Sequence, residues 1–216
     1  MEGTGKIICG LDEAGRGPLA GPVTAACVIL GPQFPLDEVT DSKTLSEKAR
    51  ERAFKLILEQ SHVGIGWSWP EEIDRLNILQ ASLLAMRRAY EAMGFTADYA
   101  YVDGNQWPGL PLPGEALVKG DALIPCVSAA SIVAKVARDH WMTRWSWLDD
   151  RYGFEVHKGY PTSAHRLALV QHGLSVIHRK SFRWKAVEQK VNRGDGHELR
   201  RDHDHEPQRG NEQDGQ

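Results

Sequence analysis

Two adjacent carboxylates follow an apolar run near the start of the chain, in the segment IICGLDEAGRGPLAGPV at positions 7–23. The apolar run predicts a buried strand at Lys6–Leu11, and Asp12 and Glu13 come directly after it. The glycines and prolines that follow predict a short link, and Val23–Leu30 predicts a second strand. Because the link is short, we expect the two strands to pair antiparallel. The chain should therefore begin with two paired strands, the first of which is followed by two negatively charged residues.

Strands and helices alternate along the remainder of the chain. Apolar runs predict further strands at Val63–Trp69, Tyr99–Asp103 and Ala116–Val118. Apolar residues at helical spacing predict four helices, which cover 44–60, 71–93, 128–150 and 162–172. The first helix opens with the capping box Thr44-Leu45-Ser46-Glu47, and Gly94 ends the second. The pattern indicates an α/β fold with one mixed sheet flanked by helices.

Composition divides the chain into a globular part and a polar tail. The 216 residues are 41% hydrophobic, which is enough for one substantial domain, and we place it at 1–192. Residues 193–216 contain a single large apolar side chain, Leu199, and carry a net charge of −3. Such a segment cannot bury an apolar face, so we expect it to be disordered.

The cysteines and the hydropathy pattern indicate the compartment. Cys9, Cys27 and Cys126 lie in apolar segments and form no CxxC pair, so buried free thiols in a reducing environment are expected. No apolar run approaches the length of a membrane span, and the N-terminus has no signal-peptide pattern. We therefore expect a cytoplasmic protein that does not contact membranes.

Carboxylates also stand at the ends of other predicted strands. Asp103 closes the run YAYVD, much as Asp12 follows ICGL, and Asp121 follows the short run ALVKG. If these strands are neighbours, the three side chains and Glu13 converge and repel one another. A divalent cation such as Mg²⁺ or Mn²⁺ would relieve this repulsion, because it prefers oxygen ligands. The alternative is that each acid only forms a turn, as single aspartates after strands usually do.

The distribution of positive charge indicates a polyanion partner. Positions 135–190 hold 11 Lys or Arg against five Asp or Glu, a net charge of +6. We expect this stretch to hold a nucleic-acid backbone, although a solvated helix face would have the same composition. The turn Gly15-Arg16-Gly17 exposes backbone groups that can read a sugar hydroxyl, or it is simply a tight hairpin. The sequence lacks zinc-ligand histidine spacing, a GxxxxGK[ST] loop and a GxSxG motif, which disfavours those enzyme classes.

Together these segments resemble the motifs of one family, ribonuclease HII. GLDEAGRGPLAGPV resembles the family's opening motif, and the similarity continues in order through DSKTLS at 41–46, NILQAS at 77–82, VDGN at 102–105, KGD at 119–121, SAASIVAKVARD at 128–139 and HKGYPT at 157–162. It extends roughly from Ile7 to Phe182. The resemblance implies a ribonuclease H-like fold, with a mixed five-stranded sheet flanked by helices and a C-terminal helical region. Arg16 favours this family over the related ribonuclease HIII.

The resemblance also implies an activity. It implies an endoribonuclease that hydrolyses the RNA strand of RNA–DNA hybrids and nicks DNA duplexes 5′ to embedded ribonucleotides. The partner would be an RNA–DNA hybrid or a DNA duplex with embedded ribonucleotides, and the products would carry 5′-phosphate and 3′-hydroxyl ends. Two Mg²⁺ or Mn²⁺ ions would activate water and support the leaving oxygen. Such an enzyme would act in ribonucleotide excision repair and DNA replication, and we expect a monomer.

The family's functional residues match positions of this sequence. Its four catalytic, metal-binding acids match Asp12, Glu13, Asp103 and Asp121. The loop that senses the 2′-hydroxyl matches Gly15, Arg16 and Gly17, and the sugar-stacking tyrosine of the KGYPT motif matches Tyr160. Positions near the phosphates match Lys43, Asn77 and Lys119.

Two rival functions remain open at this point. A nucleic-acid-binding module without catalysis would keep the basic stretch, but its convergent acids would repel phosphate unless metal intervened. Another ribonuclease H-like nuclease, such as a junction resolvase or a transposase, would share the acids but has no reason for a loop that senses a 2′-hydroxyl. Cleavage that requires both metal and a ribonucleotide separates the three functions.

The histidines receive mostly structural interpretations. His165 and His172 are expected on the surface of the last predicted helix. For His157 and Lys158, a phosphate contact is an alternative to a structural role. In the tail, the run DHDH at 202–205 could bind metal loosely, but a solvated tail is the preferred interpretation.

Overall fold

A mixed five-stranded sheet forms the centre of the molecule in the computed structural model, which describes residues 5–39 and 45–184. The strands are β1 (Ile8–Ala14), β2 (Val23–Leu30), β3 (Ser61–Ser68), β4 (Tyr99–Asp103) and β5 (Gly114–Leu117). Their order across the sheet is β3-β2-β1-β4-β5. β2 runs antiparallel to both β1 and β3, whereas β4 runs parallel to β1 and β5 parallel to β4. The predicted mixed sheet is therefore confirmed, with β1 in the central position.

β1 is longer than its apolar run predicts. It continues beyond Leu11 to Ala14, and Asp12 and Glu13 pair with residues of β2. The two acids are therefore strand residues rather than turn residues. Because side chains alternate along a strand, they project from opposite faces of the sheet.

Helices cover both faces of the sheet and continue beyond it. Within the described ranges they are α1 (Glu47–Gln60), α2 (Pro70–Leu76), α3 (Ile78–Met93), α4 (Gly120–Leu123), α5 (Pro125–Ser146), α6 (Phe154–His157) and α7 (Ser163–His172). Short 3₁₀ helices occupy Leu36–Val39 and Asp150–Tyr152. None of these helices is long and apolar enough to span a bilayer.

Three of the predicted helices differ from the observed ones at their boundaries. The helix predicted over 71–93 is two helices, because Asn77 takes a φ of 71° and its side chain caps the second one by accepting from the Gln80 amide. α1 is capped by Ser46, whose hydroxyl accepts from the Ala49 amide at 3.2 Å. The helix predicted over 128–150 begins earlier, at Pro125, and ends earlier, at Ser146. Gly94 ends α3 as predicted, with a left-handed φ of 67°.

Two apolar layers enclose the sheet. Alternate residues of β2 face opposite sides, so Cys27 packs towards α3 while Ala26 and Val28 pack towards α1 and α5. Cys9, Cys27 and Cys126 are free thiols and buried, as predicted. α5 approaches β1 so closely that a methyl group added at Gly10 would lie 2.3 Å from the Cys126 carbonyl carbon. This close contact places α5 directly behind the acid-bearing end of β1.

A third apolar cluster holds the C-terminal helical region against α5. It contains Met142, Tyr152, Phe154, Leu169 and Ile177, and the link after β1 contributes Leu19 and Ala20. The predicted division into a domain at 1–192 and a disordered tail at 193–216 stays a prediction, because residues 185–216 lie outside the described part of the chain.

Several predicted surface groups lie in the interior of this region instead. His165 is fully buried, so its predicted surface position is wrong. His157 is also buried and bonds to the Tyr152 carbonyl at 2.7 Å, which leaves it unable to contact a phosphate. Arg138 and Arg179 belong to the stretch expected to hold a nucleic-acid backbone, yet they are 1% and 2% exposed. The positive charge available to a polyanion is therefore smaller than the composition suggests.

Candidate active site

Strand pairing brings three carboxylates to one end of the sheet. β1 and β4 are parallel and pair Leu11 with Val102, so the next residue on each strand is an aspartate, Asp12 or Asp103. The two aspartates project from the same face of the sheet. Glu13 projects from the other face but lines a recess with Asp103 where the strands end.

Burial raises the pKa values of Asp12 and Glu13. Asp12 is 5% exposed, and burial raises its pKa well above the usual range, with the charges of Glu13 and Asp103 adding to the shift. The Ser131 hydroxyl and the Glu13 amide, which is 2.7 Å from Asp12 Oδ1, donate hydrogen bonds that oppose it. Burial also raises the pKa of Glu13, while Arg16 lowers it. A bound cation would favour the ionised forms of Asp12 and Glu13.

Asp121 reaches the same end of the sheet from a short helix rather than from a strand. It lies in the first turn of α4, which begins three residues after the end of β5, and is 3% exposed. The preceding Gly120 packs against β4, since an added methyl group would lie 3.6 Å from Asp103 Cα. Asp121 lines a separate recess of about 180 Å³ together with Val39 and Ser128.

The acids approach one another without forming a closed metal cage. Within residues 5–39 and 45–184, no three His, Cys, Asp or Glu side chains are grouped closely enough to hold an ion as they stand. Their chemistry nevertheless fits one. Asp103 Oδ1 is buried and has no hydrogen-bond partner among the described residues. Carboxylate oxygens are the preferred ligands of Mg²⁺ and Mn²⁺, and such an ion would offset the repulsion around Asp12.

The glycine–arginine–glycine loop borders the acids and contacts one of them. Arg16 Nη1 donates to Glu13 Oε1 at 3.1 Å, while half of the Arg16 side chain stays exposed. Gly15 has a φ of 93°, and an added methyl group would collide with Arg138 Nε at 2.0 Å. Only glycine fits at this position, so the tight turn is a steric requirement.

An open cavity of about 450 Å³ lies beside this loop. Gly17 and Tyr160 face each other across it, since a methyl group added at Gly17 would lie 3.7 Å from the tyrosine ring. The ring is 40% exposed, and Lys135 Nζ lies 5.7 Å from its centre. Arg50 and Ser131 also line the cavity. The cavity is thus lined by the backbone of the loop, by positively charged side chains and by an exposed aromatic ring.

Sequence reasoning did not identify Arg50 or Ser131 as site residues. Ser131 and Lys135 are four residues apart on α5 and so share a face, which is a signal that the SAASIVAKVARD segment does contain. Arg50 comes from α1, and no local pattern links α1 to the loop after β1. Its place in the cavity follows only from the packing of α1 against α5.

Of the three residues predicted to contact phosphates, Asn77 and Lys119 do not line this cavity, and Lys43 cannot be placed. Asn77 is exposed and caps α3, and Lys119 is exposed with a φ of 63° immediately before α4. Lys43 lies outside the described residues. Their contacts with phosphate stay predictions.

Comparison with known proteins agrees with this geometry. Residues 9–185 match the sequence profile of the family "Ribonuclease HII". The ribonuclease HII of Maricaulis maris is 52% identical over 176 residues, which cover 81% of each chain. The ribonuclease HII of Dechloromonas aromatica is 52% identical over 177 residues, or 82% of this chain and 90% of the relative.

A solved structure supports the same assignment. The ribonuclease HII of Archaeoglobus fulgidus, determined in complex with PCNA, superposes with a TM-score of 0.70 at 25% identity, covering 83% of this chain and 96% of that one. The match of the profile, the relatives and the sheet topology shows that this chain belongs to the ribonuclease HII family, the metal-dependent endoribonucleases that cleave RNA in RNA–DNA hybrids.

Proposed function

We propose that this protein hydrolyses the RNA strand of RNA–DNA hybrids and nicks DNA duplexes on the 5′ side of an embedded ribonucleotide, leaving 5′-phosphate and 3′-hydroxyl ends. The observation that carries the proposal is the position of Asp12, Asp103 and Glu13 at one end of the sheet, beside the Gly15-Arg16-Gly17 loop. A phosphodiester bound between the acids and the loop would have the carboxylates near its phosphorus atom and the loop backbone near its sugar.

The acids divide into distinct roles. Asp12, at the end of the central strand, would be shared between two Mg²⁺ or Mn²⁺ ions, with Asp103 and Glu13 on either side. Asp121 would complete the site or orient the attacking water. Bound ions of this kind activate water and stabilise the leaving 3′-oxygen. Ser131 donates to Asp12 and so keeps its carboxylate directed towards the site.

Recognition of the sugar would come from the loop and from Tyr160. Gly17 presents backbone with nothing but the tyrosine ring opposite, so a ribose 2′-hydroxyl has room to approach. The Tyr160 ring is exposed in the same cavity and can stack on the sugar of the neighbouring deoxynucleotide. Discrimination between ribose and deoxyribose then depends on the loop, and junction recognition depends on the ring.

Phosphate binding would use a smaller set of cations than the sequence suggests. Lys135 and Arg50 line the cavity and can contact the backbone on either side of the cut. Lys43, Asn77 and Lys119 are proposed as further phosphate contacts. We also propose that the protein acts as a monomer, since the acids and the Gly15-Arg16-Gly17 loop of a single chain already lie side by side.

The proposal is tested by cleavage of a DNA duplex that contains one ribonucleotide, with Mg²⁺, with Mn²⁺ and with a chelator. We expect a single cut 5′ to the ribonucleotide with either metal and none with the chelator, and end mapping should give a 3′-hydroxyl. An all-DNA duplex of the same sequence is the control and should stay intact. Cutting of the control would indicate a DNA nuclease, and binding without cutting would indicate a module that lacks catalysis.

A further inference from the structure

Arg179 is a buried cation that the proposed reaction does not use. It is 2% exposed, and its guanidinium donates to four backbone carbonyls of the loop that follows β1. Nη2 lies 2.6 Å from the Gly15 oxygen, and Nη1 lies 3.0 Å from the Arg16 oxygen and 2.8 Å from the Pro18 oxygen. Nε completes the set at 2.9 Å from the Gly21 oxygen. One side chain, more than 150 positions away in sequence, therefore fixes the path of the whole loop.

These bonds determine which way the loop amides point. In a planar trans peptide the C=O and the following N–H point in opposite directions, and none of the described peptide bonds is cis. Since the Gly15 and Arg16 carbonyls point inward to Arg179, the amides of Arg16 and Gly17 point away from it. Arg16 and Gly17 line the cavity together with Tyr160, so the outward-pointing amides would face into it. The loop can thus present two donors to a ligand only while Arg179 holds the carbonyls.

Among the described residues no carboxylate forms an ion pair with Arg179, and the carbonyl dipoles of the loop stabilise its charge. Burial lowers the pKa of Arg179 to about 9, which still leaves it charged at neutral pH. A lysine at this position would keep the charge but could not reach four carbonyls in a fixed plane, because its ammonium is a single point donor group. The guanidinium shape, rather than the charge, is what the loop requires.

Arg138 anchors the other end of the same loop. Its Nε donates to the Pro22 oxygen at 2.9 Å and its Nη2 to the Ala20 oxygen at 3.1 Å. Its Nη1 donates to the Lys158 oxygen at 3.0 Å, two residues before Tyr160. Arg138 therefore ties the loop to the segment that carries the aromatic ring, whereas Arg179 alone holds the carbonyls of Gly15 and Arg16.

We propose that Arg179 is a positioning residue for ribose recognition: by holding the Gly15 and Arg16 carbonyls, it aims the amides of Arg16 and Gly17 at the 2′-hydroxyl of the substrate. The inference rests on the proposed function, since it assigns a task within that site. It differs from the expectation that the basic stretch contacts the nucleic-acid backbone, because Arg179 is buried and its guanidinium nitrogens donate to backbone carbonyls of the protein.

A double-mutant cycle on the single-ribonucleotide duplex tests this role. Arg179→Lys should lower kcat about 10-fold or more while KM changes by less than about 3-fold, because the duplex is bound mainly through its phosphates. Gly17→Ala, whose added methyl group fits without collision, disturbs the recognition surface directly. In the Gly17→Ala background, Arg179→Lys should cost less than about 3-fold, since both changes act on one interaction. Arg75→Lys, an exposed change of the same type on α2, is the matched control.

The outcomes of the cycle separate three cases. An equal loss from Arg179→Lys in both backgrounds would show that Arg179 only stabilises the fold, and would overturn the inference. Unchanged kcat in Arg179→Lys would overturn it as well. Wild-type protein that leaves the ribonucleotide uncut would refute the proposed function instead. Each variant is assayed well below its own Tm, so that the folded fraction does not enter the comparison.

Amide hydrogen exchange gives a readout that needs no variant. In wild-type protein with a chelator present, the Arg16 and Gly17 amides should exchange more slowly when the ribonucleotide duplex binds. The all-DNA duplex of the same sequence should protect them at least about 3-fold less, because it lacks the 2′-hydroxyl. Equal protection by the two duplexes would overturn the inference even if Arg179→Lys failed to fold.

Discussion

Two buried polar regions of this molecule differ in whether their charged groups have hydrogen-bond partners within the protein. At the end of β1 and β4, Asp12 and Asp103 lie side by side, and a buried oxygen of Asp103 has no hydrogen-bond partner among the described residues. In the C-terminal helical region, Arg138 and Arg179 donate from all of their guanidinium nitrogens to backbone carbonyls. The first region is left incomplete by the protein alone, and the second is complete.

The histidines of the second region follow the same rule. His178 Nδ1 accepts from the Ser175 amide, so its Nε2 carries the proton and donates to His165 Nε2 at 3.0 Å. His165 Nδ1 then donates to the Tyr160 carbonyl at 2.9 Å. A chain of neutral rings thus holds the backbone of the residue whose ring enters the cavity. In this molecule the fully paired histidines and arginines support the backbone, whereas the buried Asp103 oxygen without a partner lies where a cation would bind.

Replacement of one acid should have the largest effect on activity. Asp12→Asn should lower cleavage of the single-ribonucleotide duplex by roughly 10³-fold or more, because it removes the ligand shared by both ions. Binding of the duplex should survive, and the protein should stay folded, since a buried repulsion is also removed. Glu115→Gln on β5, an exposed acid in the same sheet, is the matched control for steady-state kinetics. Near wild-type cleavage by Asp12→Asn would refute the metal argument.

Low pH should destabilise the C-terminal helical region, which contains these histidines, before it destabilises the sheet. Burial lowers the pKa of His165 and His178 to about 4, from a usual value of 6.5, so the folded state stays neutral where the unfolded chain takes up protons. Their contribution to stability is present above about pH 6.5 and is lost as the pH falls towards 4. The free energy of unfolding should fall by about 2 kcal/mol for each histidine between pH 7 and pH 5.

Denaturant unfolding across this pH range measures the effect. His178→Gln should flatten the slope of stability against pH, at the cost of lower stability at pH 7. His172→Gln, an exposed histidine at the end of α7, should leave the slope unchanged. Equal slopes in all three proteins would show that the buried rings are not the groups that titrate.

Tyr160 connects the two regions, because its backbone belongs to the scaffold and its ring to the cavity. Tyr160→Ala should reduce cleavage at an isolated ribonucleotide about 10- to 100-fold, in the range of one lost stacking contact. Binding of the duplex should change less. Tyr160→Phe keeps the ring and should stay within about 3-fold of wild type, because the stacking face remains. Full activity of Tyr160→Ala on this substrate would remove the proposed role.

Lys135 should show the smallest effect. Lys135→Gln should raise KM about 5-fold and reduce the slope of log affinity against log salt by about one, as expected for one lost phosphate contact. Lys55→Gln, an exposed change on α1 away from the cavity, should do neither. An identical salt dependence in both variants would place the duplex elsewhere on the surface.

Local patterns predicted the sheet well because each strand carries its own signal. Val23–Leu30 and Tyr99–Asp103 match the apolar runs to the residue, since both faces of β2 and one face of β4 are buried. The extension of β1 through Asp12 and Glu13 was missed because charged residues do not read as strand. The break at Asn77 was missed because an asparagine with positive φ looks, in sequence, like an ordinary helix position.

The burial of these polar side chains could not have been predicted from any window of sequence. Arg179 and His165 look solvated in their own segments, and their partners are carbonyls of Gly15–Gly21 and Tyr160 that only the tertiary fold supplies. For the candidate site, the motifs indicated which acids matter, but not that Asp12 and Glu13 leave opposite faces of one strand. That detail explains why the described acids do not form a cage without an ion.

We interpret the acids at the end of the sheet as a binding site for a divalent cation. Calorimetric titration of Mn²⁺ into the full-length protein tests it most directly, with wild type compared against Asp12→Asn and Asp103→Asn. The DHDH run at 202–205 is the same in all three proteins, so differences between them report on the sheet. We expect each substitution to weaken Mn²⁺ binding by about 10-fold or more. Identical Mn²⁺ affinity and stoichiometry in wild type and Asp12→Asn would contradict it.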